Sequence, residues 1–124
     1  MTLITVILGI RRSLRLQNLM KRGYVYIMAN DRPTLYTGVT SNLIKRVFQH
    51  KNNLAKGFTS KYGLHKLVYY EIFDDIMQAI IREKQIKDMN RSDKIEMIKK
   101  FNPKFEDLYQ KILDASPLRS DLPE

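Results

Sequence analysis

Two runs of alternating side chains separated by a turn constrain this chain more than any other feature. In residues 24–29, Tyr24, Tyr26 and Met28 fall on one face and Val25, Ile27 and Ala29 on the other, the period-two pattern of a strand. "NDRP" (30–33) reads as a turn, because Asn and Asp hydrogen-bond to nearby backbone and Pro33 cannot continue a ladder. "TLYTGV" (34–39) then resumes the alternation, so the pair predicts a β-hairpin. Loop parity decides how its two central tyrosines relate. An odd number of loop residues puts Tyr26 and Tyr36 on the same face, opposed or diagonal, whereas an even number without a bulge separates them.

Beyond the hairpin, Thr40 or Ser41 is positioned to cap a helix running to about Lys51. Leu43, Ile44, Val47 and Phe48 form its apolar stripe, Arg46 and His50 lie four apart along one border, and Lys45 and Gln49 lie farther out. Residues 52–65 read as an irregular basic connection. "KLVYYEIF" is a third strand, and Asp74 or Asp75 starts a helix through about Met89. "SDKIEMIKKF" predicts a further helix capped by Ser92 or Asp93, and after Pro103 a helix is expected over about Lys104 to Leu113, followed by a polar tail. The fold class is therefore α+β, a small three-stranded antiparallel sheet flanked by helices. Residues 22–101 are expected to form the compact domain and 102–124 a C-terminal helix and tail. Residues 1–21 form a basic appendage, or a mis-assigned start, since Met20 begins "MKRGYVYIM".

The 22 Lys and Arg against 13 Asp and Glu leave a net charge of +9, which favours a polyanionic partner, nucleic acid first. Cysteine is absent, which excludes disulfides, thiolate metal sites and cysteine nucleophiles and fits a cytoplasmic location. The apolar "MTLITVILGI" lacks a basic n-region and a small-residue cleavage site and is too short to span a bilayer, so it is read as neither signal nor membrane anchor.

One residue breaks the pattern of the helix that starts near Ile76. Stepping by three and four along its core stripe gives Ile76, Ala79, Ile80 and then Glu83, with Ile86 beside it. A carboxylate in line with an apolar face needs a cation, a donor cluster or a metal to offset its desolvation. Lys87, four residues on, is the ordinary partner; a metal ion is the alternative. His50, the strand tyrosines and Arg46 each have an equally ordinary reading as core, pleated-surface and solvated-face residues.

Taken together, their order and spacing resemble the GIY-YIG nuclease family. "YVY" (24–26) stands where the family has Gly-Ile-Tyr, and "YTG" (36–38) for Tyr-Ile-Gly, with Tyr36 ten residues after Tyr26. "SNLIKRVFQH" resembles the family's helix with an arginine ten residues after the second tyrosine and a histidine four beyond it, here Arg46 and His50. "AIIREKQIK" resembles the helix that carries the family's metal-binding glutamate, which falls on Glu83. The chain is most similar to small stand-alone bacterial members and to the N-terminal domain of the excision-repair nuclease subunit. It departs at Tyr24, which replaces glycine, and at Val39, where the excision-repair branch often has a lysine.

The resemblance implies an endonuclease that hydrolyses DNA with one divalent ion, Mg²⁺ or Mn²⁺, held by Glu83, and a role in DNA repair or recombination. It implies catalytic roles for Tyr26, Tyr36, Arg46, His50 and Glu83, with Tyr26 favoured as base, Tyr36 as its positioning partner and His50 as orienting group or proton relay. A phenol is a weak base at neutral pH, so nearby cations or the metal's water network would have to assist. Lys45, Lys51, Lys56 and Lys61 are candidate phosphate contacts without base readout. A catalytically silent nucleic-acid-binding or protein-interaction module on the same fold is the alternative.

Overall fold

The computed structural model describes residues 22–115. The basic N-terminal segment (1–21) and the polar tail from residue 116 lie outside the described residues. Three strands, β1 (Gly23–Ala29), β2 (Leu35–Thr40) and β3 (Lys66–Phe73), form one antiparallel sheet in the order β2-β1-β3. Five helices accompany it among the described residues: α1 (Leu43–Lys51), α2 (Phe58–Tyr62), α3 (Ile76–Asp88), α4 (Arg91–Phe101) and α5 (Tyr109–Ala115).

The central strand explains the architecture. Val25, Ile27 and Ala29 are as fully buried as Tyr26 and Met28, so both faces of β1 must be covered. Tyr26 and Met28 pack with Leu43, Ile44 and Val47 of α1, Leu67 of β3 and Ile112 of α5. Val25, Ile27 and Ala29 pack with Val68, with Ala79 and Ile86 of α3, and with Ile98 of α4. Each large apolar side chain removed from water in these layers contributes about 1.5–3 kcal/mol before entropy is counted. Close approach of α3 to β1 depends on two small residues: a Cβ at Gly23 would lie 2.6 Å from the Ile76 Cα and 2.7 Å from the Ala79 Cβ.

Local chemistry sets the element ends, and several differ from the sequence expectation. Asn42, rather than Thr40 or Ser41, caps α1 by accepting from the Lys45 amide at 3.1 Å. Thr40 holds that cap instead: its hydroxyl accepts from the Asn42 amide and donates to the Asn42 carbonyl. Asp75 caps α3 through the Met77 amide, and Asn90 caps α4 through the Asp93 amide, in place of Ser92 or Asp93. Residues 52–65 are not wholly irregular, because Gly57 precedes and Gly63 terminates the one-turn helix α2, the latter in the left-handed conformation at φ 65°. The C-terminal helix begins at Tyr109, later than expected. Buried Asn102 holds residues 103–108 non-helical by donating to the Val68 and Glu106 carbonyls, while Asp107 accepts from the Leu67 and Tyr109 amides.

Candidate functional site

The hairpin loop has five residues, 30–34, an odd number, and the strands pair Tyr26 with Gly38 and Met28 with Tyr36. Asn30 fixes that loop by accepting from the Arg32 amide at 3.0 Å and the Thr34 amide at 2.6 Å. Tyr26 and Tyr36 thus share a face as diagonal neighbours, their ring centroids 6.3 Å apart. Gly38 makes room for the first of them, since a Cβ there would lie 2.5 Å from the Tyr26 hydroxyl oxygen and 2.6 Å from its Cζ. Gly38→Ala is expected to cost about 1–3 kcal/mol and to tilt Tyr26 out of register. An unchanged Tm would show that the ring adapts freely.

His50 arrives from the last turn of α1 and is only 3% exposed. Its Nε2 is hydrogen-bonded to Tyr26 Oη at 2.8 Å, and its Nδ1 to Thr59 Oγ1 of α2, also at 2.8 Å. Thr59 is equally buried, so strand, helix and helical turn meet in a dry chain of three polar groups. Its hydroxyl can donate or accept and therefore accommodates either imidazole tautomer. Burial, reinforced by the Arg46 charge, pushes His50 down to about 4. Burial also raises the Tyr26 phenol well above its ordinary value, with Tyr36 adding to the rise and Arg46 opposing it. Desolvation outweighs the nearby cation, contrary to what a free phenolate base would require.

The depressed His50 links to stability. Its ordinary value is 6.5, so above that pH both folded and unfolded states hold it neutral and its burial is tolerated in full. Between about 6.5 and 4 the unfolded chain takes up a proton that the folded chain refuses, and stability falls with pH, by up to about 3 kcal/mol. Chemical denaturation from pH 7.5 to 4 checks this: wild type should lose stability over that window and His50→Gln should lose measurably less, whereas parallel curves would refute the assignment.

Arg46 is exposed, one helical turn before His50, and its guanidinium acts on both His50 and Tyr26. Lys45, Lys56 and Lys61 are exposed as well. Lys51 is committed elsewhere: its ammonium is ion-paired with Asp107 and donates to the His65 carbonyl, tying α1 to the segment before α5.

Glu83 lies on α3, which covers the other face of the sheet, with its side chain 14% exposed. It accepts from Lys87 Nζ at 2.8 Å, the ordinary partner anticipated from spacing. The Lys87 ammonium is raised by that hydrogen bond first, against the opposing effect of burial, with the charge of Glu83 and then Tyr36 adding to the rise. Among the described residues no group of three or more His, Cys, Asp or Glu forms a metal cluster. A lone carboxylate still fits Mg²⁺ or Mn²⁺, hard cations that accept one protein carboxylate and keep water or phosphate oxygens for the rest.

Comparison with known proteins gives the family. The family model described as the GIY-YIG catalytic domain matches residues 22–102, well over half of the chain. The chain belongs to the GIY-YIG family. A UPF0213 protein of Clostridium perfringens is 41% identical over 75 residues, covering 60% of this chain and 81% of that protein. A UPF0213 protein of Syntrophus aciditrophicus is 39% identical over 85 residues, 68% of this chain and 97% of that protein, and one of Natronomonas pharaonis is 35% identical over 75 residues, with shares of 60% and 88%. Those names state no activity. No solved structure matches the chain significantly.

In this GIY-YIG domain the matched span includes Tyr26, Tyr36, Arg46, His50 and Glu83. A direct hydrogen bond joins Tyr26 and His50, ring-centroid separations of 5.6–6.3 Å place Tyr36 beside both, and Glu83 is bonded instead to Lys87 on its own helix. Sequence reasoning missed Thr59 and Phe58, whose ring lies 6.3 Å from that of Tyr36. Gly57 and Gly63, which bracket α2, were the available signal.

Proposed function

We propose that the chain is a metal-dependent endonuclease that hydrolyses DNA phosphodiester bonds, with structure-selective cleavage in repair or recombination as its setting. The buried Tyr26–His50–Thr59 chain, flanked by partly buried Tyr36 and exposed Arg46 in a nuclease-family domain, carries this reading. A binding surface has no use for a dry proton path that ends at a basic face.

Because burial disfavours a separate phenolate, Tyr26 acts as one link of a relay rather than as a preformed base. Tyr26 is fully buried in the free protein, so the relay requires substrate binding to open its hydroxyl to the attacking water; Tyr26 Oη then takes the water's proton as it passes its own to His50 Nε2, in the tautomer whose Nδ1–H donates to Thr59. Arg46 holds the non-bridging phosphate oxygens. Burial is the larger cause of the depressed His50 and persists; phosphate binding at Arg46 offsets only the smaller contribution of its charge, which makes the imidazole a somewhat better acceptor. Glu83 would hold the divalent ion, which supplies Lewis-acid stabilisation of the leaving 3′ oxygen.

The Lys87 ion pair favours a second reading, a silent module in which Glu83 is permanently neutralised. Purified protein incubated with single-stranded, duplex, flap and junction DNA decides. Cleavage with Mg²⁺ or Mn²⁺ that stops in EDTA supports the nuclease, and binding without cleavage in either metal supports the module.

A further inference from the structure

Phe58 and Tyr62, on the one-turn helix α2, keep 45% and 43% of their surface in water although each could bury a large apolar area. Their ring centroids lie 4.7 Å apart, and Phe58 continues toward Tyr36 at 6.3 Å with an interplanar angle of 28°. The three rings form a band leading from the candidate catalytic tyrosine out to solvent. It is held in place rather than loose: the Asn30 side chain donates to the Tyr62 carbonyl at 3.0 Å, and Thr59 between the two rings is fixed to His50.

The band's surroundings are mainly basic. Between Asp31 and Glu71 the sequence contains no acidic residue and seven Lys or Arg. Lys56 and Lys61 flank the exposed rings, and Lys61 Nζ lies 5.4 Å from the Tyr62 ring centroid. Asp31 beside them is ion-paired with Lys66 at 3.0 Å, which lowers its repulsion of an anion. Exposed aromatics interleaved with lysines suit a ligand that offers apolar faces and phosphates in alternation. Duplex bases are stacked on one another and offer no free face, whereas unpaired bases do.

We propose that Phe58 and Tyr62, with Lys56 and Lys61 beside them, form a stacking platform for unpaired nucleobases, which leads a single-stranded DNA segment to Tyr36. The proposal rests on the nuclease reading for its purpose, while the platform itself needs only binding. It makes the substrate single-stranded DNA, or DNA with an unpaired flap or gap, in preference to continuous duplex.

The test is fluorescence anisotropy in EDTA at fixed salt, using a labelled oligothymidine of about 10 nucleotides, the same length of abasic oligonucleotide and a blunt duplex. Phe58→Leu and Tyr62→Leu should each weaken oligothymidine binding about 10-fold, the scale of one lost base stack, and Phe58→Tyr should bind like wild type. Wild type should bind the abasic strand about 100-fold more weakly than oligothymidine, because both stacks are lost, a comparison that depends on no mutant folding. Duplex affinity should not change. Equal affinity for abasic and normal strands overturns the platform, as does equal loss on duplex. Sedimentation that shifts from dimer to monomer in the Leu variants, with DNA affinity intact, overturns it in favour of self-association. Cleavage is scored separately: intact base-dependent binding without cleavage in Mg²⁺ or Mn²⁺ retains the platform and removes the nuclease, and cleavage with no base dependence does the reverse.

Discussion

Arg46→Ala is expected to lower the single-turnover cleavage rate at saturating enzyme by about 10² or more while weakening DNA affinity only as one lost phosphate contact would. The guanidinium stands exposed on α1 one turn from His50, free to meet a phosphate and close enough to act on the Tyr26–His50 pair. Its removal takes away a preorganised donor to the charge that develops on phosphorus oxygens. It also relieves the charge that helps depress His50, a gain in imidazole basicity that works against the rate loss, so the loss that remains reads the donor role. Arg46→Lys should restore little, because an ammonium keeps the charge without the planar fork that holds two oxygens at once. Affinity is determined separately in Ca²⁺ to suppress turnover. An unchanged saturated rate, with only affinity and salt slope altered, would assign Arg46 to an ordinary basic face.

What the sequence made legible here was periodic, and what it hid was tertiary. Alternation in β1 identified the strand and both of its faces, and the i, i+4 spacing placed Arg46 and His50 on one border of α1. The parity of the hairpin loop stayed open because it depends on how Asn30 bonds to the Arg32 and Thr34 amides, a geometry that residue types permit without dictating. Thr40, Ser41 and Asn42 are all competent caps, and the choice fell to Asn42 because Thr40 is occupied in holding it. Thr59 was invisible for a different reason. A helix of five residues is too short to show a period, so its position under His50 is set by Gly57, Gly63 and the packing around them. Lys51 shows the limit of reading charge: composition counts it as a basic residue, but its partner Asp107 is 56 positions away. Glu83 was found because it interrupts a stripe. The same interruption fitted both Lys87 and a metal, and the ion pair alone does not exclude the second, since its lysine end is 53% exposed, which screens the attraction and lets a divalent ion displace it.

That weakness of the ion pair frames the largest expected effect. Glu83→Gln should abolish cleavage in Mg²⁺ and Mn²⁺ while leaving Tm level or slightly raised. The amide fills the same volume on α3 and loses only a weak pair with a lysine whose side chain is 53% exposed, but it is a poor ligand for a hard cation. Lys87→Met probes the opposite arm. With its resident cation gone, Glu83 should bind Mn²⁺ more tightly by calorimetry, and the metal concentration for half-maximal cleavage should fall. Were Glu83 only a structural partner, the outcomes would differ in kind: Glu83→Gln would cleave like wild type, and Lys87→Met would leave a largely buried carboxylate unpaired, lower Tm and bind no additional metal. Opposite responses of metal affinity to the two substitutions, with the fold preserved in both, therefore distinguish a metal-holding carboxylate from half of an ion pair.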